Sequence, residues 1–279
     1  MASLQILRKR YKSIQATADM AAALKTASSV KYAKISRIFS AIDAYSKECD
    51  SSLELFGSSV LSRNTQIVKS RNCLVLFSND RGFCGGFNGE LLRFFDEQMQ
   101  GEAEKPLLLL QGQKAAVFCD SKGFEYERLV FSDIPSYQDA ESLTAKLYEI
   151  FTNGEADRID LIYQRFDNMM TQTPVRGTLL PRQPKDSEND PQEVLFLPDR
   201  ETAQKAPAMY CLINSVYRIM LGHAAGAQAA TTIAMRSACD NADKSLEKLE
   251  IMINRIRQAE VTNSVIETSS SQAGQFMEN

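Results

Sequence analysis

Residues 73–89 read Cys-Leu-Val-Leu-Phe-Ser-Asn-Asp-Arg-Gly-Phe-Cys-Gly-Gly-Phe-Asn-Gly. The run from Cys73 to Phe77 is continuously apolar, as in a strand that is buried on both faces. Four glycines follow at positions 82, 85, 86 and 89, and a helical pattern begins at Asn88. A strand that passes through a glycine-rich turn into a helix is the opening unit of an α/β layer. The segment therefore predicts a central α/β domain.

The chain from about residue 70 to 205 continues this alternation. We predict strands at 107–111, around Tyr126, at 159–166 and at 175–180, and helices at 88–100, 113–122 and 139–152. Apolar strands that alternate with helices favour a mostly parallel, Rossmann-like sheet. The charged, proline-rich stretch 181–198 is expected to be a loop that ends in a short strand at 194–197.

The two ends of the chain lack helix breakers. All eight prolines lie between Pro106 and Pro207, and few glycines lie outside the central region. Proline costs a helix interior ~3 kcal/mol and glycine ~1 kcal/mol, so long segments without them favour long helices. We predict an N-terminal helix over residues 1–60, a C-terminal helix over 206–270 and a flexible tail over 271–279.

Apolar residues recur along both helices with the three-and-four spacing of a coiled-coil seam. The N-terminal seam comprises Leu4, Leu7, Tyr11, Ile14, Ala18 and Ala21, and then Ile35, Ile38, Ile42, Tyr45, Cys49, Ser52 and Phe56. The C-terminal seam comprises Met209, Leu212, Val216, Ile219, His223, Gly226, Ala230 and Ile233, and then Met235, Ala238, Ala242, Leu246, Leu249, Ile253 and Ile256. Helices of order 80 Å, at ~1.5 Å per residue, most simply pair antiparallel. Ordinary amphipathic helices packed on the central domain are the alternative.

Composition and charge exclude several classes of protein. A chain of 279 residues that is 44% hydrophobic is not intrinsically disordered. Its net charge of −3 gives no support for nucleic-acid binding, and its six cysteines include no CxxC pair, as expected of reduced core thiols. No apolar run reaches the ~18 residues of a membrane span. The N-terminus has no signal-peptide pattern, so we expect a cytoplasmic chain without signal or transit peptide.

No catalytic constellation stands out. The glycines after the first strand lie where nucleotide folds bind phosphate, but their spacing matches neither GxGxxG nor a P-loop, so a structural turn is favoured. His223, the one histidine, falls on the predicted seam, where a packed side chain is the simpler interpretation. The sequence has no nucleophile elbow, no HExxH and no Cys/His spacing typical of a metal site. We therefore expect no active site, no cofactor and no metal.

Positive charge is concentrated at the N-terminus. The first 37 residues contain one acid, Asp19, and eight basic residues: Arg8, Lys9, Arg10, Lys12, Lys25, Lys31, Lys34 and Arg37. A solvated helix face would explain this asymmetry. A positive rod that meets an acidic partner is the alternative, since charge complementarity orients such a complex.

Two terminal helices around an α/β domain with this glycine motif resemble the gamma subunit of F-type ATP synthases, in a divergent bacterial-type form. The family's motif is D-R-G-x-C-G-G-x-N, and its fixed positions are present as Asp80, Arg81, Gly82, Cys84, Gly85, Gly86 and Asn88. The segment 4–17 is similar to the family's opening helix. Gln228-Ala-Ala, Asp240-Asn241 and Arg257-Gln258-Ala259 with Thr262 resemble its C-terminal signatures.

The resemblance implies a central rotary shaft that has no active site. In this family the coiled coil lies inside a ring of alternating alpha and beta subunits, and the α/β domain lies with epsilon on the membrane c ring, one copy per complex. Ion flow turns the c ring, and the asymmetric shaft biases each beta subunit between states of different nucleotide affinity. Such a chain would lie peripherally on the cytoplasmic face of a bacterial membrane and would bind no nucleic acid. The coupling ion, proton or sodium, stays open.

The resemblance also implies which residues contact partners. Contacts with the beta subunits are expected from Arg8, Lys9, Lys12, Leu24, Lys25, Arg257, Gln258 and Thr262. The segment that faces the c ring or epsilon is expected at Val194, Leu195, Phe196 and Leu197. The chain departs from the family's pattern at Leu24, at Gly226-Ala227 and at Asn263-Ser264-Val265. A stand-alone enzyme that binds a nucleotide or phosphate at residues 82–89, and a non-rotary coiled-coil scaffold, are the alternative functions.

Overall fold

A computed structural model describes residues 2–56, 71–102, 104–182 and 200–277. Its helices are α1 (Ala2–Phe56), α2 (Phe87–Gln100), α3 (Gln113–Lys122), α4 (Tyr137–Thr152) and α5 (Arg200–Met277). Its strands are β1 (Asn72–Phe77), β2 (Leu107–Gln111), β3 (Glu127–Leu129), β4 (Arg158–Phe166) and β5 (Gln172–Leu180). The predicted strand at 194–197 lies outside the described residues.

The C-terminal helix is longer than the sequence predicts. It begins at Arg200, six residues before the predicted start, and it continues to Met277 through most of the segment predicted as a tail. Pro207 therefore lies inside α5 rather than at its start. A single proline near a helix end removes only one helical hydrogen bond, which the rest of a helix of 78 residues can offset.

The five strands form one sheet in the order β3-β2-β1-β4-β5. Strands β1, β2, β3 and β4 run parallel to one another, and the edge strand β5 pairs antiparallel with β4. Val75 of the central strand β1 lies between Leu109 of β2 and Leu161 of β4, and all three side chains are fully buried. The continuous apolar runs are explained by this position, because helices cover both faces of the sheet. The predicted mostly parallel sheet is confirmed.

Alternate residues of β1 enter two different cores. Val75 and Phe77 belong to the larger core, which contains Leu147 of α4 and Val216 of α5. Leu74 and Leu76 face the opposite way and pack with residues of α2 and α3. The sheet is thus held between the long helices and α4 on one face and two short helices on the other.

The chain divides into two compact units. The smaller unit contains residues 1–27 and 233–279, and the larger unit contains residues 28–232. Within the larger unit, α1 and α5 run antiparallel, because Cys211 contacts Cys49, Asn214 contacts Ser46 and Arg218 contacts Asp43. Within the smaller unit, the seam residues Ala18, Ala21, Met235, Leu246 and Leu249 are buried. The predicted pairing of the two long helices is confirmed.

The predicted seam is wrong at Tyr45. Its side chain is 54% exposed, whereas the next residue, Ser46, is 5% exposed. The cause is the helical period: a straight α-helix repeats every 3.6 residues and drifts from the 3.5-residue spacing of an ideal seam. The hydroxyl of Ser46 accepts a hydrogen bond of 2.7 Å from Nδ2 of Asn214, so this buried polar pair is satisfied.

The turn between β2 and α3 brings two backbones into close contact at Gly112. This residue has φ +94°, and a Cβ placed on it would lie 2.2 Å from the carbonyl oxygen of Ser78. The N–H of Ser78 donates to the carbonyl of Gln111 over 2.8 Å. The Ser78 hydroxyl donates to the same carbonyl and accepts from the N–H of Ala115, each over 3.0 Å. Only glycine fits this position.

We expect Gly112→Ala to lower the free energy of unfolding by ~3 kcal/mol or more, because it adds a backbone clash to a positive φ that residues with a side chain rarely adopt. The matched control is Gly123→Ala, since Gly123 has φ +72° but no atom within 4 Å of its Cβ position. That control should lose only ~1 kcal/mol, the cost of the left-handed conformation itself. Urea unfolding followed by circular dichroism measures both losses. Equal losses in the two variants would contradict the close contact.

Candidate functional site

The glycine turn, residues 78–89, connects β1 to α2. Two of its residues have left-handed backbone conformations, Phe83 with φ +65° and Gly85 with φ +58°. Such a φ is unusual for an aromatic residue, and the Phe83 ring is 59% exposed. Gly86, at φ −77°, precedes the first residue of α2. The turn is therefore a specific loop conformation, in which Gly85 is the motif glycine that needs a positive φ.

Asn88 holds the glycine turn together from inside. Its Oδ1 accepts the N–H of Asn79 over 3.3 Å. Its Nδ2 donates to the carbonyl of Arg81 over 3.4 Å and to Sγ of Cys84 over 3.2 Å. Because Asn88 and Cys84 are both buried, these bonds replace water for the amide. The Cys and Asn of the motif thus have a structural role in this turn.

Asp80 has a similar structural role at the end of β1. Its Oδ1 accepts the N–H of Gln113, the first residue of α3, over 2.9 Å. A carboxylate at a helix N-terminus satisfies a free N–H and complements the helix dipole.

Arg81, the next residue of the motif, is exposed. A hydrogen bond from Lys31, with a weaker contribution from Arg81, holds the pKa of Asp133 below its usual value.

The end of the glycine turn packs on α5. The buried residues Cys84 and Phe87 form a small cluster with Ala227 of α5. A Cβ placed on Gly226 would lie 3.1 Å from Cε2 of Phe87, so the ring occupies the space that a side chain would need. Gln164 of β4 adds a polar contact, because its Nε2 donates to the carbonyl of Phe87 over 2.8 Å.

His223 of α5 is a packed side chain, as predicted from its position on the seam. Its Nδ1 accepts the backbone N–H of Gln164 over 3.2 Å, which places the proton of the neutral ring on Nε2. The ring lies 5.2 Å from that of Phe87 and 6.2 Å from that of Phe77, measured between centroids. Complete burial lowers the pKa of His223 from its usual 6.5 to about 3. The imidazole is therefore neutral at physiological pH.

A second buried polar cluster joins β4 to β5 and to residue 102 after α2. Asp160 is fully buried and pairs with Arg176 over 2.6 Å and with Arg158 over 2.8 Å. Arg176 also pairs with Glu102 over 2.6 Å, and Asn72 donates to the same carboxylate over 2.7 Å. These charges satisfy one another across the sheet edge, so the cluster has a structural role.

The residues expected to contact beta subunits lie in the smaller unit. Arg8, Lys9 and Lys12 of α1 are exposed, as are Arg257, Gln258 and Thr262 of α5. Leu24 and Lys25 are half-buried. The Thr262 hydroxyl donates to the carbonyl of Gln258 over 2.9 Å. Val194, Leu195, Phe196 and Leu197 lie outside the described residues.

The structure adds a surface that sequence reasoning missed. Several large apolar side chains of the smaller unit are 48% to 66% exposed. They are Ile6, Met20, Ile251, Met252, Val261, Val265 and Ile266. Exposed apolar residues in such number are typical of a surface that a partner covers. The available signal was that these residues are apolar but fall outside the seam spacing.

Within the described part of the chain, no helix combines the length and apolar character that a membrane crossing needs. No group of three His, Cys, Asp or Glu side chains there is arranged to hold a metal ion. The polar groups of the glycine turn described above bond within the turn and to α3, which supports the structural interpretation of the motif.

Comparison with known proteins identifies the family. A family model described as ATP synthase matches residues 3–273. A protein of Rubrobacter xylanophilus named ATP synthase gamma chain is 30% identical over 290 residues, which cover 97% of each chain. The chain belongs to the ATP synthase gamma chain family. A gamma chain of Pelotomaculum thermopropionicum is 28% identical and covers 96% of this chain and 97% of its own length.

Solved structures share the fold. The rotor of Euglena gracilis mitochondrial ATP synthase contains a chain that matches with a TM-score of 0.66 at 18% identity, over 93% of this chain and 99% of that one. A chain of the OSCP/F1/c-ring assembly from the same organism matches with a TM-score of 0.70, also at 18% identity, over 98% and 95%. The predicted fold and the resemblance to the gamma subunit are confirmed. As a member of this family, the chain is a non-catalytic subunit of ATP synthase rather than a stand-alone enzyme or a non-rotary scaffold.

We expect the stability of the chain to fall as the pH is lowered from 6.5 to about 3. In this window the unfolded chain binds a proton at His223 that the folded chain does not, so the contribution is complete above pH 6.5 and is lost below it. The neutral variant His223→Gln should therefore lower the slope of unfolding free energy against pH by about 1.4 kcal/mol per pH unit.

Urea unfolding at a series of pH values tests this, and the unchanged carboxylates in the variant serve as the internal control. Because the sequence has one histidine, the difference between the two slopes reports His223 alone. Parallel slopes for the two chains would show that His223 is protonated in the folded state.

Proposed function

We propose that this chain is the central shaft of a rotary ATP synthase and that its smaller unit turns inside a ring of alternating alpha and beta subunits. The observation that carries this proposal is the set of exposed apolar and basic side chains on a thin coiled coil of this family. The buried seam of the unit includes two alanines, Ala18 and Ala21, which remove little apolar area from water. A surrounding ring would cover the exposed apolar residues and supply the missing burial.

The C-terminal part of α5 has the chemistry for a directional contact with beta. Arg257 is exposed and can donate a bidentate pair of hydrogen bonds to a carboxylate. Gln258 can donate and accept, and Thr262 lies one turn further along the same face. The Thr262 proton is directed to the Gln258 carbonyl, so its oxygen remains an acceptor. We propose that these three side chains bind a polar loop of one beta subunit at a time.

The N-terminal part of α1 has the chemistry for steering. Arg8, Lys9, Arg10 and Lys12 are exposed and lie within five consecutive residues of α1. Asp19, the one acid among the first 37 residues, accepts a hydrogen bond from Nε2 of Gln15. Exposed cations that are close together attract an acidic surface and fix its orientation. We propose that the acidic surface belongs to loops of the beta subunits.

The α/β domain and the segment 194–197 are proposed to face epsilon and the c ring. One copy of the chain per complex would then connect the ring to the catalytic head, and the chain would lie peripherally at the cytoplasmic face of the membrane. Coupling requires that one shaft contact the beta subunits differently at each rotational position, because only differential contacts can shift their states. In the α/β domain, the hydrogen bonds and ion pairs of Asp160 and of the glycine turn lie inside the domain. We propose that the outer surface of the domain is therefore available for epsilon and the c ring.

The double variant Arg257→Ala with Gln258→Leu tests the shaft function in the assembled complex. The tagged chain is expected to co-purify with alpha and beta subunits. ATP turnover should fall by about tenfold, a typical coupling free energy of ~1.4 kcal/mol, while nucleotide binding to beta is unchanged.

The matched control is Asn254→Leu with Arg255→Ala, a neighbouring exposed pair of the same chemistry. It should retain the parental turnover, because it removes the same kinds of group about one helical turn before the assigned contact, at a different height along the helix axis. Parental turnover in the Arg257/Gln258 variant, in a normally assembled complex, would contradict the assigned contact.

Charge reversal tests the steering role of the N-terminus. Lys9→Glu with Lys12→Glu should slow assembly by about tenfold at low salt, and the defect should shrink at high salt as the charges are screened. Lys25 is left unchanged, since its side chain is half-buried and reversal there would disturb packing. Stopped-flow light scattering or native electrophoresis over time measures the rate.

The control for net charge is Lys105→Glu with Lys205→Glu, two exposed lysines outside this segment. Its assembly rate should match that of the parent. If the Lys9/Lys12 variant also assembles at the parental rate at both salt concentrations, these lysines are only solvated.

A further inference from the structure

Two glycines one helical turn apart form notches on one face of α5. A Cβ on Gly226 would lie 3.1 Å from Cε2 of Phe87 and 3.0 Å from Cγ of Gln172. A Cβ on Gly222 would lie 3.1 Å from Cε2 of Phe39. All three distances are shorter than ordinary carbon–carbon contacts, so the rings of Phe87 and Phe39 occupy space that a side chain on the glycine would need. Residues four apart lie on the same helix face, so both notches open in the same direction.

The rings in the notches come from different elements. Phe87 is the first residue of α2 and the end of the glycine turn, and Phe39 belongs to α1. Phe39 also packs edge-to-face on Phe166 of β4, with ring centroids 5.7 Å apart. Within a single helical turn, α5 is therefore contacted by a ring from the other long helix and by a ring from the α/β layer.

Gln164 of β4 locks the same place with hydrogen bonds. Its side chain holds the carbonyl of Phe87, and its backbone N–H holds Nδ1 of His223. Gln164 is 1% exposed and His223 is 3% exposed. Hydrogen bonds in such a buried place are not exchanged with water, so breaking them costs more than at the surface. Gln164 thus connects the sheet to α2 through its side chain and to α5 through its backbone N–H.

We propose that the two notches form a torsional joint, which sets the stiffness with which the α/β domain follows rotation of α5. Rotation of α5 about its axis, relative to the sheet, must drive helix backbone into two aromatic rings and break the Gln164 bonds. Close-packed contacts resist such displacement steeply, and glycine leaves no side chain that could yield by changing rotamer. This inference rests on the shaft function, because only a rotating chain transmits torque.

Angular fluctuation of single assembled complexes tests the joint. The head is immobilised, and a rod is attached through Val117→Cys on α3, where the native side chain is 55% exposed. Five native cysteines are buried, and the half-buried Cys239 is replaced by Ser. The width of the angular distribution, while the complex waits for ATP, reports torsional stiffness directly.

Gly226→Leu should displace Phe87 and raise the angular variance by about twofold or more, because a loosened contact opens locally. Adding Phe87→Ala to Gly226→Leu removes the ring that the leucine displaces and should return the variance towards the parental value. The matched control is Gly89→Leu at the end of the glycine turn, where a Cβ would meet no atom within 4 Å. It should leave the variance unchanged.

An unchanged angular variance in Gly226→Leu would overturn the proposed joint. So would a variance that does not return towards the parental value when Phe87→Ala is added. If Gly226→Leu does not assemble, Gly226→Ala takes its place, since its Cβ requires a shift of only a few tenths of an ångström. A smaller rise in variance is then expected, and no rise overturns the proposal. A parental complex that hydrolyses ATP without turning the rod would contradict the shaft function itself, which separates the two failures.

Discussion

Close approach to the small-residue face of α5 is the constraint on which the larger unit depends. Gly222, Ala225, Gly226 and Ala229 are buried and have almost no side chain. Phe39 of α1 and Phe87 of α2 can therefore reach the helix backbone itself. Small residues bury little area alone, so the stabilisation comes from the large aromatic partners that enter the notches. One helical turn thus determines where the long helices, the glycine turn and the sheet meet.

The glycine motif can be understood from this contact. Asp80 satisfies the first N–H of α3, Asn88 binds the turn from inside, and Phe87 reaches α5. A loop at the end of β1 resembles a phosphate cradle in sequence because both need glycines between a strand and a helix. This turn differs from a phosphate-binding loop in its polar side chains, because those of Asp80 and Asn88 form hydrogen bonds within the protein. In this chain the motif forms the turn that brings Cys84 and Phe87 against α5.

Much of the fold could be predicted because its signals are local. The apolar run at Cys73 and the glycine turn predict a buried strand and an α/β layer. Tyr45 was placed wrongly because the phase of a long helix drifts, and only the partner helix reveals that Ser46 is buried. The pairing of Phe87 with Gly226 joins residues far apart in sequence, so no local pattern contains it. From sequence, Gly226 falls on the seam and departs from the family's pattern, but only the structure shows that the Phe87 ring occupies the space beside it.

The two units differ in how completely they bury their apolar side chains. The larger unit contains a complete core around the sheet, with its buried charges paired at Asp160 and its histidine neutral. The smaller unit buries a thin seam and leaves apolar residues such as Met252 and Val265 exposed. A chain that transmits rotation needs this contrast, because a rigid body must follow the helix while the helix surface changes its contacts at each step. If the exposed helix surface bound its partner too tightly at one rotational position, rotation would halt at that position. The binding energy therefore has to be spread over many similar exposed side chains.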